Sequence, residues 1–577
     1  MKKISYIIAL ATAAVLTSCS LDERVISSSL PENYYNTPQQ VLTGLNGCYN
    51  NLRSIYGNAN YFSTTEECTD LIYQTQRSRY EANCHVTPAL PRFGSTLWTQ
   101  GYQGVMRANA VLAALQRNNT MKDTEKAPLY AEGIILRAFF YYILTANFNG
   151  VPFYEDEVLD SNNAEISRLP RTDASIIRDK MVNEVMEVLK VERYIAEYVD
   201  QTDNPITVFP LDMLPTNDDE NTRQYRVGAC VGLMLAGKMA LWNERWADAA
   251  DCYRCIEHIY GDLSQYPLSD VTFSKRLVPE SILELSNIRL DYGLQVTGGV
   301  ASKCMPLRTE LSIDGEETDE DEESDNFDPE NNKDYYQGVK IPELGGNART
   351  SSPNRPTKRL YQTLLKSNDK RYGEYDADGN EIFGGVGSLA TGWIGWTTDE
   401  DPEKDLRHWC FFNNGTATSR PYLGPKFWCW GMQNTYDSNS YKIFRYAGAL
   451  LGLSEAYFMM NKKEEACEAI NNVRRRAGIS ELTTDNITMD EIQNEYGREL
   501  FGEFQRKHDL VRWGIWWKLC GPSDQYYDGV NKCKNYHEGG SLFKTYARPC
   551  HEYYPIPATE ISYNPNLSNP EYSKYKL

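Results

Sequence analysis

The chain has 577 residues, 41% hydrophobic and 24% charged, ordinary globular proportions and enough for a large core that needs no disulfide staples. Its formal net charge of -20 argues against nucleic acid, whose phosphates would be repelled, and against charge-driven clinging to anionic lipid. The 40 tyrosines and 11 tryptophans supply wide rigid faces with a polar edge, suited to helix interfaces and to binding surfaces alike.

The chain opens on Lys2 and Lys3, followed by a mostly apolar run, Ile4 to Leu16, too short to span a bilayer comfortably. Leu16-Thr17-Ser18-Cys19 resembles the bacterial lipobox. The expectation is a leader over 1–18, a diacylglycerol on the Cys19 thiol, and a lipidated tether over 19–35. Two or more acyl chains give stable anchoring where one does not. No later apolar run approaches the length of a transmembrane helix. Setting Cys19 aside leaves 13 of the 14 cysteines, an odd number. Export permits disulfides, but the wide spacing makes no framework, so mostly buried free thiols are expected.

Helical periodicity follows from about residue 36. The spacing of Leu97, Tyr102, Val105, Met106, Val111, Leu112 and Leu115 predicts a helix over 97–117. A second covers 129–148 and stops at Asn149-Gly150, with Pro152 beyond. An amphipathic helix is expected over 176–197. Helical hairpins are expected over 225–242 with 246–260, and over 445–460 with 463–477, turned at Asn461 and closed by Gly478. Thr488-Met489-Asp490-Glu491 has the form of a capping box, opening a helix to about 505. Two-helix units of similar length predict a mainly helical, tetratricopeptide-like superhelix over about 36–261 and 441–515, with a terminal segment over 516–577.

The stretch from about 262 to 440 is different: rich in Gly, Pro, Asp, Asn, Trp and Tyr, with few helical patterns. It reads as a large irregular insert with a few short strands, among them Ser281 to Ile288 and a hairpin from Tyr375 to Phe383 around Asp378-Gly379. Irregular stretches of this length on a helical frame are usually binding loops. Tyr292, Trp393 and Trp396 are its candidate ligand contacts, against the alternative that they form a satellite core. Trp98, Trp242, Trp246, Trp513, Trp516 and Trp517 lie on or beside helices and read as packing.

Other patterns carry less. Gly232 to Lys238 has the Gly and Lys spacing of a phosphate loop, but Met239 stands where Ser or Thr would hold magnesium and the segment is helical. Cys252, Cys255 and His258 share a helical face without a fourth ligand, so no metal is expected. The acidic run 316–325 reads as a solvated loop. No Gly-x-Ser-x-Gly elbow or His-Glu-x-x-His occurs, and among 79 acidic residues a carboxylate pair is uninformative, so neither catalysis nor a cofactor is expected.

Several segments in order resemble the SusD/RagB family. They are Glu132 to Pro152, with Phe148-Asn149-Gly150-Val151-Pro152; Tyr225 to Trp246; Arg445-Tyr446-Ala447 through Arg476-Ala477-Gly478; Glu495 to Gly514, with Arg498-Glu499-Leu500 and Arg512-Trp513-Gly514; and Tyr554-Pro555-Ile556-Pro557 with Asn564-Pro565. Trp98, Tyr102 and Asn109 fit as well. Tyr496 stands where the family usually has Arg, and Phe504 and Glu571 replace glycines. The resemblance implies an outer-membrane, outward-facing glycan-binding lipoprotein that caps a SusC-like TonB-dependent transporter and hands it oligosaccharides. A peptide ligand is the alternative, and a glycoside hydrolase a more distant one. It also implies a ligand loop after Thr69-Asp70, with Asp70, Tyr73, Gln74, Arg77 and Tyr80 as candidate contacts. The paired Trp platform of the starch binder is missing there.

Overall fold

A computed structural model describes residues 35–74, 80–200, 226–289, 295–296, 299–304, 335–336, 339–340, 354–357, 359–364, 369–372, 374–375, 381–382, 394–396, 421–429, 437–521 and 546–576. Its main helices are α1 (Pro38–Tyr56), α2 (Ala59–Thr65), α3 (Phe93–Arg117), α4 (Asp123–Phe148), α5 (Ala174–Val188), α6 (Ala229–Trp242), α7 (Trp246–Tyr260), α8 (Tyr446–Met459), α9 (Lys463–Ala477), α10 (Met489–Glu499) and α11 (Arg506–Arg512). Local chemistry starts α1: the Gln40 N–H donates to Thr37 Oγ1 at 3.4 Å, the Gln40 side chain accepts from Thr37 N–H at 3.1 Å, and Pro38 occupies the first turn.

From α3 to α9, each helix packs on the next one in sequence, and α1 packs on α3. This gives a mainly helical protein, a tetratricopeptide-like stack of helical pairs in which each unit buries its apolar face against its neighbours. By length and composition α4 could cross a membrane, but 94% of its most apolar window is buried inside the protein. It is the central helix, apolar nearly all round because neighbours cover it on every side.

Tight packing explains the phosphate-loop mimic on α6. The Tyr253 ring of α7 sits against Gly237 of α6 and Gly452 of α8, and a Cβ at either position would overlap the ring. The helix ends fall at the expected residues. Asn149 follows α4 with φ 62°, Asn461 turns α8 into α9 with φ 60°, and Gly478 closes α9 with φ 78°. That left-handed conformation lets the Gly478 N–H reach back to the last carbonyls of α9.

Two helices are shorter than their periodicity predicts. The segment from 176 breaks after α5, where Lys190 turns left-handed with φ 52°, and continues as the short turns Val191–Tyr194 and Ile195–Val199. The segment from 488 ends at Glu499 rather than near 505. Gly502 and Phe504 have φ of 75° and 61°, and the turn they make carries Glu503 inward to Lys426 and Arg445. Thr488 caps α10 by accepting from Glu491 N–H at 3.1 Å, while the Glu491 carboxylate also accepts from Arg498 at 3.1 Å.

The irregular insert contains short antiparallel ribbons. Strand β2 (Ser281–Ser286) pairs with β6 (Ser440–Arg445), which runs directly into α8, so the insert leaves and re-joins the frame at one place. Further out, β1 (Ile72–Gln74) pairs with β3 (Asn354–Pro356), and β4 (Ile394–Trp396) with β5 (Pro421–Leu423). The hairpin expected around Asp378-Gly379 is present as Glu374–Tyr375 against Glu381–Ile382.

Candidate functional site

An ionic cluster fastens the insert to the helical frame. Arg371 donates to Asp369, Glu495 and Glu499 at 2.8, 2.8 and 3.0 Å. Arg445, at the β6–α8 junction, donates to Glu280, Glu499 and Glu503 at 2.6, 3.0 and 2.8 Å. Arg476 adds bonds to Glu280 and Glu499, and Lys426 one to Glu503 at 2.7 Å. These side chains are almost wholly buried. Burial alone would raise the Glu499 carboxyl, but Arg476, Arg445 and Arg371 reverse this and hold it at about 2. Such a cluster adds little net stability over a well-packed apolar core, yet it is expensive to half-satisfy.

The expected ligand loop begins beside this base. Asp70 is fully buried, and its carboxylate is taken up by Arg506 and Arg359. This corrects the expectation that Asp70 faces a ligand: it anchors the loop from beneath. Tyr73 and Gln74 lie in β1, opposite Arg355 and Asn354, with only 6% and 8% of their surface exposed. Tyr80 is half-buried. Arg77, Tyr292, Trp393 and Cys19 lie outside the described residues. Trp396 closes β4 opposite Pro421.

The two candidate groups belong to neighbouring ribbons, because β5 packs beside β3. The Tyr73–Gln74 strand and the Trp396 strand are thus carried on adjacent ribbons, although more than 300 residues separate them in the chain.

The chain that follows β1 contributes to a cluster that sequence periodicity did not single out. The Arg92 guanidinium sits 3.8 Å from the Tyr80 ring centroid. The His85 ring meets Tyr80 edge-on at 5.6 Å and stacks on Tyr546 at 3.7 Å, the two planes 6° apart. All four residues are half-buried. Burial, then the charge of Arg92, lowers the pKa of His85 and so favours its neutral ring. Arg92 lies over one face of Tyr80, and His85 and Tyr546 each cover one face of the other; an aromatic face left beside such guanidinium and imidazole donors can stack on the C–H face of a sugar while the donors bind its hydroxyls. His85 and Arg92 follow no helical or strand period, and Tyr546 is remote in sequence, so no local pattern links them.

Among the described residues, no group of three or more His, Cys, Asp or Glu has an arrangement that could hold a metal ion. Cys252 and Cys255 are buried on α7, and His258 meets the Tyr194 ring edge-on at 5.8 Å.

Comparison with known proteins bears on this geometry. A family profile described as the SusD family matches residues 358–572, and one described as "Starch-binding associating with outer membrane" matches 21–190. The starch-binding protein SusD of Bacteroides thetaiotaomicron is 31% identical over 137 residues, spanning 24% of this chain and 22% of that protein. SusD-like protein P25 of Formosa agariphila is 22% identical over 93% of this chain and 92% of its own length. Among solved structures, a SusD homolog from Bacteroides thetaiotaomicron superposes with a TM-score of 0.63 at 18% identity, covering 93% of this chain and 97% of that one. Surface glycan-binding protein A from the same organism, solved in complex with laminarihexaose, gives 0.59 at 18% identity over 91% and 97%. With two family profiles in chain order and the same fold over nine-tenths of its length, this chain belongs to the SusD family.

Proposed function

We propose that the protein is a non-catalytic glycan-binding lipoprotein of the outer membrane, facing the exterior and held by acyl chains on Cys19. It captures oligosaccharides and passes them to a SusC-like TonB-dependent transporter. The observation that carries the reading is the Tyr80–His85–Arg92–Tyr546 cluster, a partly exposed set of aromatic rings with a guanidinium over one of them, in the chain that follows β1. The ligand face extends from there to Arg77 and across the adjacent ribbon to Trp393 and Trp396, with Tyr292 as a further contact, while Tyr73 and Gln74, buried in β1, support the strand rather than face the ligand. A family relative named for starch and a solved neighbour holding laminarihexaose support a carbohydrate ligand. The division of the chain into leader, tether, frame and insert serves this role: the frame stays rigid while the insert and the 70–92 segment meet the ligand.

The test is calorimetric titration of residues 20–577 against a panel of plant and host polysaccharides, with chromatography of each mixture afterwards. Binding with unchanged polymer length is expected. Shortened polymer would make the protein a hydrolase, and binding only to peptides would move it to the alternative ligand class. Cys19→Ala should release the protein from the membrane fraction, and continued retention would defeat the anchor.

A further inference from the structure

Arg371, Arg445, Arg498, Arg506 and Arg512 each grip at least one carboxylate. Arg92 is unlike them. Its guanidinium lies 3.8 Å from the Tyr80 ring centroid, and its Nε is buried without a hydrogen-bond partner. Among the described residues the guanidinium has no ion pair and no hydrogen bond. The nearby carboxylate of Glu81 is turned elsewhere: it accepts from the Phe93 N–H at 3.0 Å, at the start of α3.

Lys507 repeats the pattern. It is only 7% exposed, and its ammonium lies 5.1 Å from the Trp516 ring centroid and 5.9 Å from that of Tyr554. It has no ion pair among the described residues. Trp516 packs in one apolar pocket with Cys84 and Ala547, the chain neighbours of His85 and Tyr546. Two cations without a paired counter-charge therefore belong to the part of the fold that carries the aromatic cluster.

An unpaired guanidinium held over a ring is an incomplete site. Stacking fixes its plane and leaves its N–H edge to bind within that plane. A carboxylate or a sulfate accepts two such N–H bonds at once, whereas a neutral sugar hydroxyl brings no charge to the pairing. We infer that the oligosaccharide bound at the Tyr80–His85–Arg92–Tyr546 cluster is an acidic one, whose uronate carboxylate or sulfate pairs with the Arg92 guanidinium while an aromatic ring of the cluster stacks on the sugar. This rests on the glycan-binding reading and adds the substrate class to it. The net charge of -20 does not oppose it. Exposed charges more than about 8 Å away are largely screened at physiological ionic strength, so the cations at the site decide. Arg92 is half-buried, where water weakens an ion pair less than it does in the open.

The full chain, taken from membranes into neutral detergent, is titrated calorimetrically with neutral polysaccharides (starch, laminarin, dextran) and acidic ones (polygalacturonate, chondroitin sulfate, dextran sulfate). Methyl-esterified polygalacturonate and plain dextran are the uncharged counterparts of two of these. An acidic member is expected to bind about tenfold or more tighter than its uncharged counterpart, and to weaken as salt is raised. The polygalacturonate and dextran sulfate pairs tell carboxylate from sulfate. Arg92→Gln should bring acidic and neutral affinities together, with Arg92→Lys, which keeps the charge but loses the fork, in between. Circular-dichroism melts check that each variant is folded, and Arg92→Lys carries the test if Arg92→Gln is not. Binding confined to neutral polysaccharides, or an acidic preference that survives in the folded variants, would overturn the inference and leave glycan capture standing. No binding to any polysaccharide would remove the glycan reading and this inference with it.

Discussion

Arg506 grips Asp70 with two parallel bonds, Nε donating to Oδ1 and Nη2 to Oδ2, each at 2.8 Å. Arg359 adds a third at 2.9 Å, and the Thr357 hydroxyl donates to the Asp70 carbonyl. One carboxylate therefore ties α11 of the frame to the 357–359 segment of the insert, directly beneath β1. Asp70→Asn would leave two guanidinium groups short of their counter-charge, one of them fully buried, at a cost of about 3–5 kcal/mol in unfolding free energy. Urea denaturation checks this, and a change within about 0.5 kcal/mol would remove the anchoring role. Burial would raise this carboxyl, but Arg506 and Arg359 hold it at about 2, below its ordinary 3.8. Because the folded value lies below the unfolded one, the stabilisation is complete above about pH 4 and is lost as pH falls through about 2.

This residue also marks where sequence reading stops. The helices were legible because apolar residues recur at helical spacing and because stops such as Asn149, Asn461 and Gly478 have a local chemical reason. The Thr69-Asp70 pair was legible only as a neighbourhood. Nothing local distinguishes an Asp that faces a ligand from one that faces Arg506, more than 430 residues away in the chain. The same holds for His85, Arg92 and Tyr546, which become a surface only after folding. The end of α10 was misjudged for a related reason: its periodicity runs on past Glu499, while the pull of Lys426 and Arg445 on Glu503 is a tertiary effect.

Phe504, which the family resemblance sets against a glycine, has a φ of 61°, the left-handed region that glycine enters without a Cβ clash. The residue is retained by its ring, which lies 5.4 Å from Tyr441, 5.6 Å from Phe62 and 5.9 Å from Tyr56 in a buried aromatic group. Left-handed backbone costs a non-glycine residue about 1–2 kcal/mol. Emptying a buried Phe site costs about 3–5 kcal/mol. Phe504→Gly is therefore expected to destabilise by about 2 kcal/mol. A more stable glycine variant, measured by thermal or urea unfolding, would mean that backbone strain outweighs the ring.

The aromatic–cationic cluster makes a sharper prediction for binding. Tyr80 and His85 are half-buried, so their removal leaves the core intact. Tyr80→Ala should weaken glycan affinity about tenfold, equivalent to about 1.4 kcal/mol, while shifting the unfolding midpoint little. Trp396→Ala, on the neighbouring ribbon, should weaken it as well if both ribbons meet one ligand. Calorimetry on each variant beside a circular-dichroism melt separates the effects. Full affinity in Tyr80→Ala would move the ligand face elsewhere.

His551 sets a second pH dependence, distinct from that of Asp70. Its Nδ1 accepts from Arg548 N–H at 2.9 Å and its Nε2 donates to the Val86 carbonyl at 3.0 Å, so the bonds suit a neutral ring protonated at Nε2. Burial pushes its pKa down to about 4, from an ordinary 6.5. The unfolded chain therefore binds this proton first as pH falls. Stability is full above about pH 6.5 and declines as pH drops towards about 4, by on the order of 3 kcal/mol from this group. His508, also buried and lowered to about 3, adds to the loss over the same window. His551→Gln keeps an acceptor and a donor but cannot be charged. The drop in urea midpoint between about pH 7.5 and about pH 4.5 should be smaller in this variant than in the natural protein. An equal drop in both would exclude His551 as a source of the acid sensitivity.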